Sequence, residues 1–353
     1  MRVVFRTDAS LTMGNGHVMR CITLAYKLRS KGCTVEFICR KRNGDLIEKI
    51  KLLDFKCHTL PFNEAIEDER SETSSAYWEI DAHETLTHLS QPVDWIVVDH
   101  YALDWKWERI INTHCTHLLV IDDLANRKHD CTVLVDHNIG RLSQEYVHLV
   151  NKNCTLLLGP KYALIRDEFF YRERASSNSS DVLNILISMG GVDKINLTTQ
   201  LLSLLQDSEH AQRLRISIIL GPHSPWNRHV VEFLKNYPIA YQIFIDPPNI
   251  ATLISEADIA IGTSGVSALE RCSLHVPSIN FVVADNQLPG GLALERLGAC
   301  RLVTMTDLWN IDFHHALKDF MNHAYRSAMQ QACAHVVDGQ GTEKITEAMQ
   351  HGD

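Results

Sequence analysis

Apolar and polar positions follow two rhythms along this chain, and each change of rhythm marks a new element. Short unbroken apolar runs come first: Val3, Val4 and Phe5, then residues 34–39, then residues 95–99. Runs of that length, rich in β-branched and aromatic side chains, predict strands buried on both faces of a parallel sheet. Between them the spacing changes to three and four. From His17 onward, Val18, Cys21, Ile22, Leu24, Ala25 and Leu28 form one apolar stripe, which predicts a helix closed by Lys31 and Gly32. The pattern continues with a short helix over 46–53, a strand over 57–60, a polar loop over 63–75 and a helix over 77–89. Strands over 118–121, 132–135 and 156–158 follow. Alternation of this kind predicts a doubly wound α/β sheet, in which ligands bind at the carboxyl ends of the strands. That rule puts the loop before His17, the stretch Asp99 to Tyr101, and Asp122 with Asp123 on one rim.

The small polar run 175–180 reads as a linker, and beyond it the alternation restarts. Strands are predicted over 182–188, 214–220, 241–245, 259–261 and 278–283, with a glycine loop over 189–193 and a helix over 197–205. From Phe313 the chain looks helical. The expectation is two Rossmann-like α/β domains, 1–174 and 175–353, the second ending in a helical tail. Each has a glycine-containing loop after its first strand.

A length of 353 residues, 45% hydrophobic and 22% charged, suits two globular cores of ordinary size. The net charge of -9, without a large basic block, argues against a nucleic-acid surface. An anionic ligand would therefore be held by backbone dipoles and a few placed cations. Ten cysteines lie scattered with no C-x-x-C pair, as reduced core cysteines of a cytoplasmic protein would. Nineteen histidines form no H-E-x-x-H or Cys/His cluster, so no metal is expected. The first residues read directly as a strand, so no signal peptide is expected, and no apolar run reaches membrane-spanning length.

The candidate chemistry centres on the stretch from Asp8 to His17, which carries the chain from a strand to a helix N-terminus. Gly14 and Gly16 leave room for a ligand against the main chain, with Asn15 between them. A first helical turn carries unpaired N–H groups and partial positive charge, a seat for phosphate. His17 sits in that turn, where positive potential disfavours imidazolium and leaves a ring able to accept a proton. A dinucleotide fingerprint fits poorly, because its third glycine would fall at Met19 and the loop is long for that tight turn. The competing reading of His17 is a structural histidine.

A second glycine constellation spans 258–270. A strand ends at Ile261, and Gly262, Thr263, Ser264 and Gly265 make a loop just before a helix starting near Val266. Hydroxyls and free N–H groups at such a point are the donors phosphate oxygens need. Glu270, about one turn further, could accept two hydrogen bonds from ribose hydroxyls. Taken singly, Thr263 and Ser264 could be helix caps and Glu270 part of a solvated face. Together, in this order, they favour a nucleotide diphosphate.

Several stretches also carry a resemblance. They are Phe5-Arg6-Thr7-Asp8 with Gly14-Asn15-Gly16-His17-Val18-Met19-Arg20, then Val98-Asp99-His100-Tyr101, Asp122-Asp123 and the run from Leu158 to Phe169. Met189-Gly190-Gly191-Val192-Asp193, Thr263-Ser264-Gly265 leading to Glu270, and Asn286-Gln287 complete the set. With these motifs the chain, up to about Val303, resembles the UDP-sugar hydrolases of pseudaminic acid biosynthesis, similar in fold to the MurG-like GT-B glycosyltransferases. Their substrate is a UDP-linked diacetamido-trideoxy-altropyranose, a precursor for glycosylating flagellin or surface glycans.

The resemblance implies two domains facing across a cleft, with His17 as general base for water and Tyr101 and Asn286 lining the sugar site. It also implies UDP on the second domain, held by Gly190 and Gly191, by Thr263, Ser264 and Gly265, and by Glu270. Arg166 is a candidate substrate contact, its alternative being a salt bridge that fixes the linker. UDP is a good leaving group, so one base suffices where ordinary glycosidases need a second carboxyl. No cofactor is implied, and other enzymes of the same pathway are conceivable partners. The alternatives are a GT-B glycosyltransferase with a UDP-sugar donor and a non-catalytic nucleotide-sugar binder. Two departures from the family stand out: the fifty or so residues beyond Val303, and Leu288-Pro289-Gly290-Gly291, unusually flexible for a helix start.

Overall fold

A computed structural model describes residues 1–62, 77–89, 91–170, 182–222, 224–306 and 309–350. The polar loop expected over 63–75 and the linker expected over 175–180 lie outside the described residues. The chain divides into two compact units, one of Met1–Leu164 with Gln340–Asp353 and one of Ile165–Gly339.

The first unit contains β1 Arg2–Thr7, α1 Gly16–Ser30, β2 Thr34–Arg40, α2 Ile47–Leu52, β3 Lys56–Leu60, α3 Tyr77–Leu86 and β4 Val93–Asp99. It continues with α4 Trp105–Ile111, β5 Cys115–Ile121, β6 Val133–Asp136 and β7 Thr155–Leu158. The seven strands form one parallel sheet in the order β3-β2-β1-β4-β5-β6-β7. Alternation along β1 explains why both faces are covered. Val3 and Phe5 join Val18, Cys21, Ile22 and Ala25 of α1 in one core, while Val4 joins Tyr77, Ala82 and Trp107 in the other. The order runs outward from β1 to β3, then returns to place β4 on the other side of β1. Such a reversal opens a crevice at the carboxyl ends of β1 and β4, the position where doubly wound sheets take ligands.

The second unit repeats this plan with six parallel strands in the order β10-β9-β8-β11-β12-β13. These are β8 Leu183–Ser188, β9 Leu214–Leu220, β10 Ala240–Ile245, β11 Ile259–Thr263, β12 Ser278–Val282 and β13 Arg301–Thr304. Its helices are α5 Leu197–Gln206, α6 Asn227–Leu234, α7 Ile250–Ser255, α8 Val266–Ser273, α9 Leu288–Arg296, α10 Trp309–Phe320 and α11 His323–Cys333. Its reversal lies between β8 and β11, with the glycine loop after one and Ser264 and Gly265 after the other. β11 runs on through Gly262 and Thr263 rather than ending at Ile261, because both continue its pairing with β12.

Three features depart from expectation. The division between the units falls after Leu164 rather than after residue 174. The last helix, α12 Gly341–Gln350, belongs to the first unit and not the second. Its Ile345 and Met349 complete the core around α1, and Glu343 pairs with Lys27 and, at 2.6 Å, with Lys31. Gly341 is required there, because a Cβ would meet the Ala163 carbonyl oxygen at 2.2 Å. Third, residues 288–291 do start a helix: Pro289 lies in the first turn of α9, where its missing N–H costs nothing. No described helix is long and apolar enough to cross a membrane.

Candidate active site

In the first unit the chain leaves β1 at Asp8, whose carboxylate is fastened from three sides. Arg6 donates to both oxygens at 2.6 and 2.9 Å, the Arg40 backbone N–H donates at 2.7 Å, and His100 Nε2 lies 3.3 Å away. Burial opposes the charge on Asp8, but the Arg6 guanidinium outweighs it and holds the carboxyl well below its usual range. Asp81 extends the network, accepting from Arg6, Arg40 and the Trp107 indole. The root of the loop is therefore rigid.

Beyond it the loop folds on itself. Gly14 donates to the Ser10 carbonyl at 2.8 Å, Met13 N–H to the Ser10 hydroxyl at 3.0 Å, and Leu11 N–H to the Asn43 carbonyl at 3.0 Å. Gly14 has φ +83°, a conformation that side chains resist, and the space beside Gly14 and Gly16 is open. Asn15 stands at the N-cap of α1 but its side chain makes no capping bond. No side-chain cap closes this end of α1.

His17 lies in that first turn and is 5% exposed. Its ring meets Tyr101 edge to face, with centroids 4.4 Å apart. Nδ1 makes no hydrogen bond among the described residues, its nearest carboxylate oxygen being Asp99 Oδ1 at 3.7 Å. The imidazole pKa is lowered, by burial above all; Asp99 pulls it up and Arg20 pushes it down. Burial therefore favours the uncharged form of the ring, and desolvation is the largest cause.

Arg20, one turn along α1, was not singled out by the sequence, yet it ties the rim together. It donates to both oxygens of Asp99 at 2.5 and 2.6 Å and to Asp123 at 2.9 Å. Asp123 in turn accepts from the Tyr101 hydroxyl at 3.2 Å. Burial alone would raise Asp123, but Arg20 overrides it and leaves the carboxyl at about 2. Burial and the neighbouring Asp123 raise the Tyr101 phenol, so it stays protonated. The ends of β1, β4 and β5 thus converge as the strand-end rule requires. The missed signal was the three-residue spacing from His17 to Arg20, which puts both on one face of the helix.

In the second unit the two junctions differ. After β8, Gly190 has φ +80° and an open flank, while Gly191 is packed so closely that a Cβ on Gly221 would meet its carbonyl oxygen at 1.9 Å. The N-terminus of α5 is occupied: the Asp193 carboxylate accepts from the N–H groups of Leu197 and Thr198 at 2.8 and 3.0 Å. After β11, α8 has Gly265 at its N-cap and no side-chain cap. The Ser264 hydroxyl is buried and has no hydrogen-bond partner among the described residues, although its backbone N–H donates to Phe281. Ser264 and Thr263 are not capping α8.

Arg271 sets the shape of this loop from behind, donating to the Thr263 carbonyl and to Asn280 Oδ1, each at 2.7 Å. Gly262 must lack a side chain, since a Cβ would sit 2.6 Å from that guanidinium. Gly291 of α9 plays the same part in front, where a Cβ would lie 2.6 Å from the Ser264 hydroxyl. Glu270 is partly exposed on α8; burial raises its pKa and Arg166, 3.7 Å away, partly restores it. Arg166 also pairs with Glu168 at 2.6 Å and lies over the Phe169 ring, all within the second unit. Asn286 sits exposed in a turn over 285–287, just before α9.

Comparison with known proteins adds three findings. An uncharacterized protein of Methanocaldococcus jannaschii is 26% identical over 297 residues, 82% of this chain, although the chain spans only 56% of that relative's length. The UDP-2,4-diacetamido-2,4,6-trideoxy-beta-L-altropyranose hydrolase of Campylobacter jejuni is 27% identical over 258 residues, covering 73% of this chain and 83% of that one. The resemblance read from the motifs is borne out. In fold, the chain is similar to MurG of Acinetobacter baumannii, with a TM-score of 0.68 at 15% identity and 99% of both chains covered. The architecture is therefore that of the GT-B glycosyltransferases. No family profile matches the chain.

Proposed function

We propose that this protein hydrolyses a UDP-linked diacetamido-trideoxy sugar, cleaving the bond between the anomeric carbon and the diphosphate oxygen. The observation that carries the reading is His17, a buried imidazole with a lowered pKa and an unbonded ring nitrogen, in the first turn of a helix that no side chain caps. The similarity to the Campylobacter hydrolase supports the choice of substrate class. UDP would rest on the second unit against the first turn of α8. Its diphosphate would accept from the Ser264 hydroxyl and the free N–H groups at Gly265, and Glu270 would take the ribose hydroxyls. Gly190 and Gly191 would line that seat with backbone only, because Asp193 already fills the end of α5.

In the reaction, His17 accepts a proton from water as the oxygen attacks the anomeric carbon on the face opposite UDP. The carbon–oxygen bond breaks, its electron pair leaves with UDP, and the configuration inverts. The helix dipole and hydroxyl stabilise the charge that develops on the diphosphate. Tyr101 would line the sugar, with Gly14, Asn15 and Gly16 leaving backbone N–H groups on the same loop as the base.

The test is incubation of the purified protein with the UDP-linked diacetamido sugar in heavy-oxygen water. Free sugar bearing the label, together with unlabelled UDP, is expected. Label in UDP would refute attack at carbon. Sugar transfer only when an acceptor alcohol is added would identify a glycosyltransferase, and tight UDP binding without turnover would identify a binder.

A further inference from the structure

We propose that Arg20 is a positioning residue for His17: its guanidinium occupies Asp99 and Asp123 together and so keeps either carboxylate from pairing with the imidazole. This rests on the reading of His17 as the base. A histidine beside a free carboxylate holds a proton, and a protonated ring cannot take one from water. Asp99 is the nearest carboxylate to Nδ1, yet both of its oxygens are committed to Arg20, at 2.5 and 2.6 Å, and the gap to His17 stays at 3.7 Å. The third hydrogen bond of Arg20 engages Oδ2 of Asp123, the other acid acting on the ring, and the Tyr101 hydroxyl donates to that same oxygen. Oδ1 makes no hydrogen bond among the described residues, so here it is the guanidinium charge that offsets the carboxylate.

The charged and titratable groups around His17 are few. Arg20 comes from α1, Asp99, His100 and Tyr101 from the end of β4, and Asp123 from the end of β5. His137, after β6, faces Arg20, Asp99 and Asp123. Among these, Arg20 is the arginine that sets the balance of charge at the ring. Without it, two buried carboxylates would confront an imidazole that could become their counter-ion by taking up a proton.

The experiment follows the His17 imidazole directly by NMR in protein carrying isotope-labelled histidine, its resonance being the one lost in His17→Gln. In Arg20→Gln the titration midpoint should rise by about one pH unit or more. In Asp99→Asn, with Arg20 retained, it should fall below that of the wild type. Arg20→Lys, which keeps the charge, should stay close to wild type. The acid limb of kcat/KM should move with the midpoint in each variant, which a purely structural role would not produce. A midpoint in Arg20→Gln that is unchanged or lowered overturns the proposal. Should that variant fail to fold, a midpoint in Asp99→Asn that does not fall overturns it equally. Because the titration needs no substrate, shifted midpoints in a protein without hydrolase activity would uphold the role of Arg20 and reject the proposed reaction.

Discussion

The two sheets reverse their strand order in the same way, but they leave different helix ends open at the reversal. In the first unit, the helix after the first strand is open: α1 has no side-chain cap and carries His17, while the returning strand β4 ends in Asp99, closed off by Arg20. In the second unit, the helix after the first strand is closed: Asp193 caps α5, while α8, after the returning strand β11, is open beside an unpartnered Ser264 hydroxyl. Glycines mark all of these loops, so glycine content does not tell which helix end can receive a ligand. The nearest carboxylate does. Where an acid reaches the first-turn N–H groups, as Asp193 does, the end is spent on stability; α1 and α8 have no such side-chain cap, and those are the ends the proposed reaction uses.

The sharpest way to break this comparison is at His17. Replacement by glutamine should lower kcat by ~10²–10⁴-fold, the usual contribution of a general base, while UDP affinity on the second unit stays at the wild-type level. Sugar release and UDP titration calorimetry would read the two effects separately. The pH dependence has a definite sign. The proposed mechanism uses the neutral ring, and burial lowers its pKa below the ordinary value of 6.5, so kcat/KM should hold through neutrality and fall only on the acid side. Near-normal turnover in the variant would remove the first unit's open helix end from the chemistry.

A smaller effect should come from Ser264→Ala. A hydrogen bond to a charged diphosphate oxygen contributes about 1.5–3 kcal/mol, so UDP should bind roughly ten- to a hundredfold more weakly. His17 titration should not change. Unaltered UDP affinity would mean that the buried hydroxyl serves packing against Gly291 and that the nucleotide sits elsewhere.

The parallel strands were legible because each is a compact apolar run, and α1 because its stripe is continuous from Val18 to Leu28. The β1 loop, His17 and the uncapped turn at Ser264 were legible for a related reason: strand, glycine and helix follow one another within a few residues. What escaped was held together across the sheet. Arg20 joins acids 79 and 103 residues away, a pairing that depends on β1, β4 and β5 lying side by side. The capping by Asp193 escaped because its two acceptor oxygens look, in sequence, like one more polar residue in a glycine loop. The last helix was assigned to the nearer domain by order along the chain, but burial of Ile345 and Met349 and the ion pairs of Glu343 place it on α1. Burial, invisible in local sequence, is also the largest influence lowering the His17 pKa.

The mildest change, and the one that most directly separates the two helix ends of the second unit, is Asp193→Ala. Its carboxylate satisfies the Leu197 and Thr198 N–H groups, and loss of such a cap costs about 1 kcal/mol. The variant should therefore unfold at a slightly lower urea concentration and bind UDP with wild-type affinity. Paired with Ser264→Ala it gives opposite signatures: stability without affinity at α5, affinity without stability at α8. A loss of UDP binding in Asp193→Ala as large as that in Ser264→Ala would show that the glycine loop after β8 holds the diphosphate in spite of its capped helix. The distinction drawn between the two junctions would then fail.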